Sequence, residues 1–173
     1  SEIVVALDPG MAFGTGHHPT TRMCLEQLET MILPGMDVLD VGCGSGILSI
    51  AAAKLGAKSV LGIEIDSVAV RVAKQNVRDN GVGFLVQITN GSLPHSDVRA
   101  SSYDIAVANI SAKVVSDTAG ELVRTVRTGG RIIASGILTE KKDAIVEALT
   151  LAGGLLEQTV VDGDWVTLVA SVP

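Results

Sequence analysis

The run Val38-Leu39-Asp40-Val41-Gly42-Cys43-Gly44-Ser45-Gly46 constrains this chain more than any other stretch. Residues of strand character lead directly into glycines at alternating positions, and a helical pattern opens at Ile47. Such a turn lets backbone amides meet a ligand closely, because no Cβ intrudes, and the following helix presents its positive end. A strand-turn-helix unit that receives a nucleotide-like ligand is therefore expected, although glycines in this pattern are also compatible with a tight turn and nothing more. Their spacing separates ligand classes. The dinucleotide fingerprint needs glycine at its first, third and sixth positions, and the sixth position counted from Gly42 is Ile47. A pyrophosphate is not the expected ligand.

The same alternation continues on both sides of the turn. Strands are predicted over Val38–Val41, Ser59–Glu64, Phe84–Thr89, Asp104–Asn109 and Arg131–Ser135, and helices over Ile47–Leu55, Val68–Asp79, Ala112–Val126 and Glu140–Ala152. Strands separated by helices of about 10–15 residues make right-handed βαβ units and a parallel sheet. Upstream, Met23, Leu25, Leu28, Met31 and Ile32 recur at near-helical spacing, with Thr20 or Thr21 as the expected cap and Pro34-Gly35 as the stop. Downstream, Leu155–Val161 and Trp165–Ser171 flank Asp162-Gly163-Asp164, a turn between two β runs. The expected fold class is α/β: a Rossmann-like, doubly wound, mostly parallel sheet closed by a C-terminal antiparallel hairpin. A hydrophobic fraction of 47%, with two Phe, one Tyr and one Trp, suits strands buried on both faces between small-residue helices. At 173 residues a single core suffices, so residues 1–173 are expected to be one domain.

Charge and cysteine usage exclude several roles. The net charge is −6 and the pI about 4.9, without the Lys/Arg cluster that neutralises phosphates, so direct nucleic-acid binding is not expected. Cys24 and Cys43 have no Cys/His companions at zinc-site spacing, and no metal is expected. Cys43 has no basic neighbour to lower its pKa, which favours small packing over a nucleophile. No apolar run approaches the roughly 18 residues of a membrane span and the start lacks a signal-peptide layout, so the expectation is no membrane association and a cytoplasmic location.

Polar residues at strand ends carry the expected chemistry. Glu64 ends the second predicted strand about 20 residues beyond the glycines, where a carboxylate can accept hydrogen bonds from ribose hydroxyls. Asp66 is its rival for the ribose, although it also suits the cap of the next helix, as does Ser67. Asn109 ends the fourth strand beside the first, where the winding of such sheets reverses and ligands bind. Its side-chain carbonyl can accept from an amine and hold the nitrogen lone pair in line with a reacting carbon, or it can serve only as a turn residue. The segment Gly14-Thr15-Gly16-His17-His18-Pro19-Thr20-Thr21 reads either as a flap with Thr21 anchored at a helix start or as a capping loop.

The glycine turn after an acidic residue resembles motif I of the class I S-adenosylmethionine-dependent methyltransferases. In that resemblance Asp40 faces the methionyl part of the cofactor, and Gly42, Gly44 and Gly46 line its path. A narrower likeness rests on Asp8-Pro9-Gly10-Met11-Ala12-Phe13-Gly14-Thr15-Gly16, His18-Pro19-Thr20-Thr21, Asn109-Ile110, Ser135-Gly136-Ile137-Leu138 and Asp164-Trp165. With the glycine turn, these segments resemble the PrmA family, the methyltransferases of ribosomal large-subunit protein eleven, over nearly the whole chain. The resemblance implies S-adenosyl-L-methionine as cofactor and S-adenosyl-L-homocysteine as product. It implies Thr21, Gly42, Glu64 and Asn109 as main cofactor contacts, with Phe13 and Gly14 nearby. It also implies methylation of lysine and N-terminal amino groups of the ribosomal protein, with Asn109 as the catalytic candidate. Two positions depart from the pattern: His17 stands where many relatives have Thr, and Asn90-Gly91-Ser92 lacks an acidic residue often found near the adenine. The family's separate N-terminal substrate-recognition domain is expected to be absent from residues 1–173. The residues alone leave open a methyltransferase of the same fold acting on a small molecule or another protein lysine, and a noncatalytic cofactor-binding scaffold.

Overall fold

The computed structural model describes residues 2–8 and 18–173. Along the chain the elements are α1 (Pro19–Met31), β1 (Asp37–Val41), α2 (Ile47–Lys54), β2 (Ser59–Glu64), α3 (Ser67–Asp79), β3 (Val86–Asn90), β4 (Tyr103–Asn109), α4 (Ala112–Thr125), β5 (Val126–Leu138), α5 (Lys142–Leu151), β6 (Leu155–Asp162) and β7 (Trp165–Ser171). The strands form one sheet in the order β3-β2-β1-β4-β5-β7-β6. Pairing is parallel from β3 through β5 and antiparallel for β5–β7 and β7–β6. The winding reverses between β1 and β4, which lie side by side with Val41 opposite Ala108. The expected α/β class and its terminal hairpin are both present.

Alternation along each strand sends side chains to opposite faces and divides the core in two. Val38, Val60, Ile105, Val107 and Ile133 pack with α1, α2 and α3, whereas Leu39, Leu61, Ala106, Ala108, Ile132 and Ala134 pack with α4 and α5. α3 shows the matching helical period: Ala69, Val70, Ala73, Asn76 and Val77 are buried, while Arg71, Lys74 and Arg78 face solvent. The hairpin tip is tied to α1 by an ion pair of Asp162 with Arg22 at 2.6 Å and by the Trp165 ring set edge-on to His18, centroids 4.9 Å apart.

Several boundaries differ from the sequence expectation, each for a local reason. The cap of α1 is His18, not Thr20 or Thr21: its side chain accepts from the Thr20 amide at 3.2 Å, and Pro19, which has no N–H to satisfy, takes the first turn. α1 stops at Met31, short of Pro34-Gly35. β3 begins at Val86 because Leu85 and Val86 both donate to the Val82 carbonyl in a turn, which leaves Phe84 83% exposed. β5 extends well beyond Arg131–Ser135, pairing Val126 with Tyr103 at one end and Leu138 with Trp165 at the other; Gly129-Gly130 mimics a turn and hides the first part. A 3-10 turn over Thr139–Lys141 precedes α5 and takes up the predicted helix start at Glu140. Asp66 caps α3, accepting from the Val68 amide at 2.9 Å.

Candidate active site

A cavity of about 510 Å³ opens at the carboxyl ends of β1, β2 and β4, where the winding reverses. Its wall is built from Asp40 and the glycine turn, Glu64 and Ile65 after β2, the Gly91–Leu93 loop after β3, Asn109 and Ile110 after β4, and Val114, Asp117 and Thr118 on α4, with Thr21 from α1. The topology thus brings together Thr21, Asp40, Gly42, Gly44, Glu64 and Asn109, residues far apart in sequence. Phe13, Gly14 and His17 lie outside the described residues.

The glycine turn is held by backbone and by one carboxylate. The amides of Gly42 and Cys43 both donate to the Ile63 carbonyl, at 2.8 and 3.0 Å. Glu64 then accepts from the Gly44 amide at 3.0 Å through one oxygen and from the Asp66 amide at 2.8 Å through the other. Each oxygen keeps a second lone pair for a ligand hydroxyl. Gly42 has φ +71°, and a Cβ there would come 2.4 Å from Ile110 Cγ2, so no other residue fits between β1 and the end of β4. Gly46 does not line the cavity; at φ +87° it caps α2 and packs against Ala73 of α3.

Asp40 is 1% exposed and accepts from the Ser49 hydroxyl at 2.6 Å. Burial pushes its carboxyl up to about 6, against the opposing pull of the Ser49 hydrogen bonds and with a further upward push from the Glu64 charge. Burial, with Asp40 and Glu64 close by, also holds the Cys43 thiol well above its ordinary value, which removes it as a nucleophile. Across the crevice, Asn109 Nδ2 donates to the buried Thr21 hydroxyl at 3.2 Å, leaving the amide carbonyl as its acceptor end. Asp66 and His18 stand outside the cavity wall, both employed as helix caps.

The electrostatic character of the wall is one-sided. Asp40, Glu64 and Asp117 line it, and among the described residues no Lys or Arg does. Ile65, Leu93, Ile110 and Val114 supply apolar surface. Ile65, Leu93 and Val114 carry no sequence signal, because they sit in loops and on a helix flank without a motif, and Ile110 enters only through the Asn109-Ile110 segment of the family likeness. A pyrophosphate would meet carboxylates there, whereas a ligand carrying positive charge and a sugar would meet complementary groups. Among the described residues no group of three or more His, Cys, Asp or Glu side chains is arranged to hold a metal ion.

Sheet order, crevice and glycine turn define the class: a Rossmann-like domain of class I methyltransferase fold. A family model described as ribosomal protein L11 methyltransferase (PrmA) matches residues 1–172, and the chain belongs to that family. It is 50% identical over 169 residues to a ribosomal protein L11 methyltransferase of Exiguobacterium, covering 98% of this chain and 54% of the relative. It is 47% identical over 173 residues to the protein of that name from Geobacillus kaustophilus, covering 99% and 54%. The chain therefore spans about half the length of the curated relatives it matches. The crystal structure of a ribosomal protein L11 methylase from Lactobacillus delbrueckii superposes with a TM-score of 0.89 at 35% identity, covering 97% of this chain and 84% of that one.

Proposed function

We propose that this chain is an S-adenosylmethionine-dependent protein N-methyltransferase acting on lysine and N-terminal amino groups of ribosomal large-subunit protein L11. The observation that carries the cofactor is the cavity wall, which offers carboxylates and a ribose-competent Glu64 but, among the described residues, no Lys or Arg for a phosphate. The substrate rests on the relatives, which are named for it at up to 50% identity. In this reading residues 1–173 work as a single methyltransferase domain, and the location is cytoplasmic. Among the described residues no helix is long and apolar enough to cross a membrane.

Bound S-adenosylmethionine supplies a methyl group already activated on a sulfonium. The chain then has to bind, orient and exclude water, and alignment of this kind is worth up to roughly 7–11 kcal/mol in favourable systems. Glu64 holds the ribose, Gly42 and Gly44 let the backbone lie close, and Asp40 faces the methionyl part. Gly46 acts one step removed, by starting α2 so that its N-terminus faces the crevice. Thr21 and Asn109 close the opposite side, with Phe13 and Gly14 assigned by the family likeness. Asn109 is the catalytic candidate: Thr21 fixes its amide nitrogen, so its carbonyl can accept from the incoming amine and direct the lone pair.

Calorimetry with S-adenosylhomocysteine and with NAD, followed by mass spectrometry of the ribosomal protein after incubation with this chain and S-adenosylmethionine, tests the proposal. Binding of the first ligand alone, with methyl-sized mass increments on lysine or the N-terminus, is the expected result. Preference for NAD would overturn the cofactor. Binding without transfer to any amine would make the chain a noncatalytic scaffold, and transfer only to a small molecule would reassign the substrate.

A further inference from the structure

Asn76 is a polar residue on the buried face of α3, 1% exposed, at a position where the helix otherwise presents Ala69, Val70, Ala73 and Val77. All its amide groups are used. Oδ1 accepts from the Asp8 amide at 2.9 Å, and Nδ2 donates to the Asp8 carbonyl at 3.0 Å and to the Ser45 carbonyl at 2.9 Å. One side chain therefore joins the N-terminal segment to the middle of the glycine turn. Asn80, one turn further on, repeats the first half of this pattern with Ala6, accepting from its amide at 3.0 Å and donating to its carbonyl at 2.7 Å.

The spacing explains why two asparagines suffice. Four residues of helix advance about 6 Å, close to the two-residue repeat of an extended chain, so side-chain amides at positions 76 and 80 meet the peptide groups of residues 6 and 8 as a neighbouring strand would. Leu7 between these anchors and Val5 just before them pack on the α1–α2–α3 side of the core. The two positions differ in one respect: Asn80 spends its remaining donor on the Asn76 carbonyl within α3, whereas Asn76 spends its own on the turn. The paired bonds to Asp8 fix the rotation of the Asn76 amide, and this aims the remaining N–H at Ser45. Ser45 lies between Gly44, which Glu64 holds, and Gly46, which starts α2.

We infer that Asn76 is a positioning residue for the cavity, holding the glycine turn in its ligand-binding shape through Ser45 while the N-terminal segment locks its amide in place. The inference rests on reading the cavity as the S-adenosylmethionine site. Asn76 is not among the residues lining the cavity, so it acts on the site through Ser45 and not by contact.

The test compares Asn76→Ala with Asn80→Ala, which loses the Ala6 bonds but leaves Asn76, Asp8 and Ser45 joined. S-adenosylhomocysteine affinity is measured by calorimetry, and hydrogen–deuterium exchange is followed in a peptide spanning residues 41–48. Asn76→Ala is expected to weaken binding at least tenfold and to speed exchange in that peptide; Asn80→Ala is expected to keep affinity within about threefold and exchange there unchanged. Should Asn76→Ala not fold, Asn76→Ser, which is neutral and too short to keep the bonds to Asp8 and Ser45 together, carries the same measurements. Exchange over residues 41–48 at the wild-type rate in the Asn76 variant, or wild-type affinity, overturns the inference. If the wild-type chain itself binds no S-adenosylhomocysteine, the reading of the cavity fails, and the exchange comparison alone decides the role of Asn76.

Discussion

The Glu64 carboxylate accepts the backbone N–H of Gly44 at 3.0 Å, so the end of β2 braces the turn that ends β1. The group proposed to receive the ribose is thereby also a support for the glycine turn. Glu64→Ala removes both contributions at once. Hydrogen bonds to charged groups contribute about 1.5–3 kcal/mol, so S-adenosylhomocysteine affinity is expected to fall roughly 10- to 100-fold by calorimetry. Unchanged affinity would take Glu64 out of the site.

Asn109 and Thr21 make the corresponding contact on the other side of the crevice, at 3.2 Å. Asn109→Ala leaves Glu64 and the glycine turn intact but loses the carbonyl proposed to direct the acceptor. Turnover is expected to drop about 100-fold, as misplacement of reacting groups does, while S-adenosylhomocysteine affinity stays within about threefold. Single-turnover kinetics beside calorimetry read the two quantities separately, and equal losses in both would make Asn109 a cofactor-binding residue.

Gly42 tests the packing of the crevice itself. Gly42→Ala forces φ +71° on a residue with a Cβ and drives that Cβ to 2.4 Å from Ile110 Cγ2. The strain and the overlap together are expected to cost on the order of 2–4 kcal/mol in urea denaturation. The double variant with Ile110→Ala should recover part of it, because only the overlap depends on Ile110. Strict additivity would show that the two sites do not meet.

Asp40 makes stability depend on pH. Its carboxyl is raised from 3.8 to about 6 in the folded chain, so between those values the folded state keeps a proton that the unfolded state has lost. Stability from this group is therefore greatest below pH 4, falls as pH rises towards 6, and is level beyond, a total of about 3 kcal/mol. Asp40→Asn should remove that slope, so the difference in stability between wild type and variant must change across the window. A constant difference from pH 4 to pH 7 would mean that Asp40 titrates normally.

The parts of the fold that sequence made legible are those with a strong local period or a punctuating residue. Val38–Val41 before Gly42, and Ser59–Glu64 before Asp66, carry both, and their ends fall within a residue of the observed strands. β5 was truncated in the reading because its extra residues are fixed by pairing with β4 and β7, which local pattern does not record. Thr20 and Thr21 looked like caps because a hydroxyl before an apolar run usually is one; instead both are buried, and His18 takes the cap.

The site divides in the same way. Glu64 and Asn109 could be picked out because each is a polar residue ending an apolar strand, and Asp40 because the glycine turn after it resembles motif I. Ile65, Leu93 and Val114 could not, since nothing distinguishes them from other apolar residues until the sheet is assembled. Asn76 was equally silent: a lone amide on an apolar helix face gains its meaning from Asp8 and Ser45, which are distant in the chain.

The meeting of β1 and β4 at the reversal of the sheet also sorts the crevice by position along the chain. Apart from Thr21, the described residues of one bank come from 40–93 and those of the other from 109–118. The two banks are separate stretches of polypeptide, joined by the β1–β4 pairing and by Ile110 packed against Gly42. Under the proposed function the earlier bank carries Glu64 and the glycine turn for the donor and the later bank carries Asn109 for the acceptor, so the two partners of the reaction meet groups from different parts of the chain.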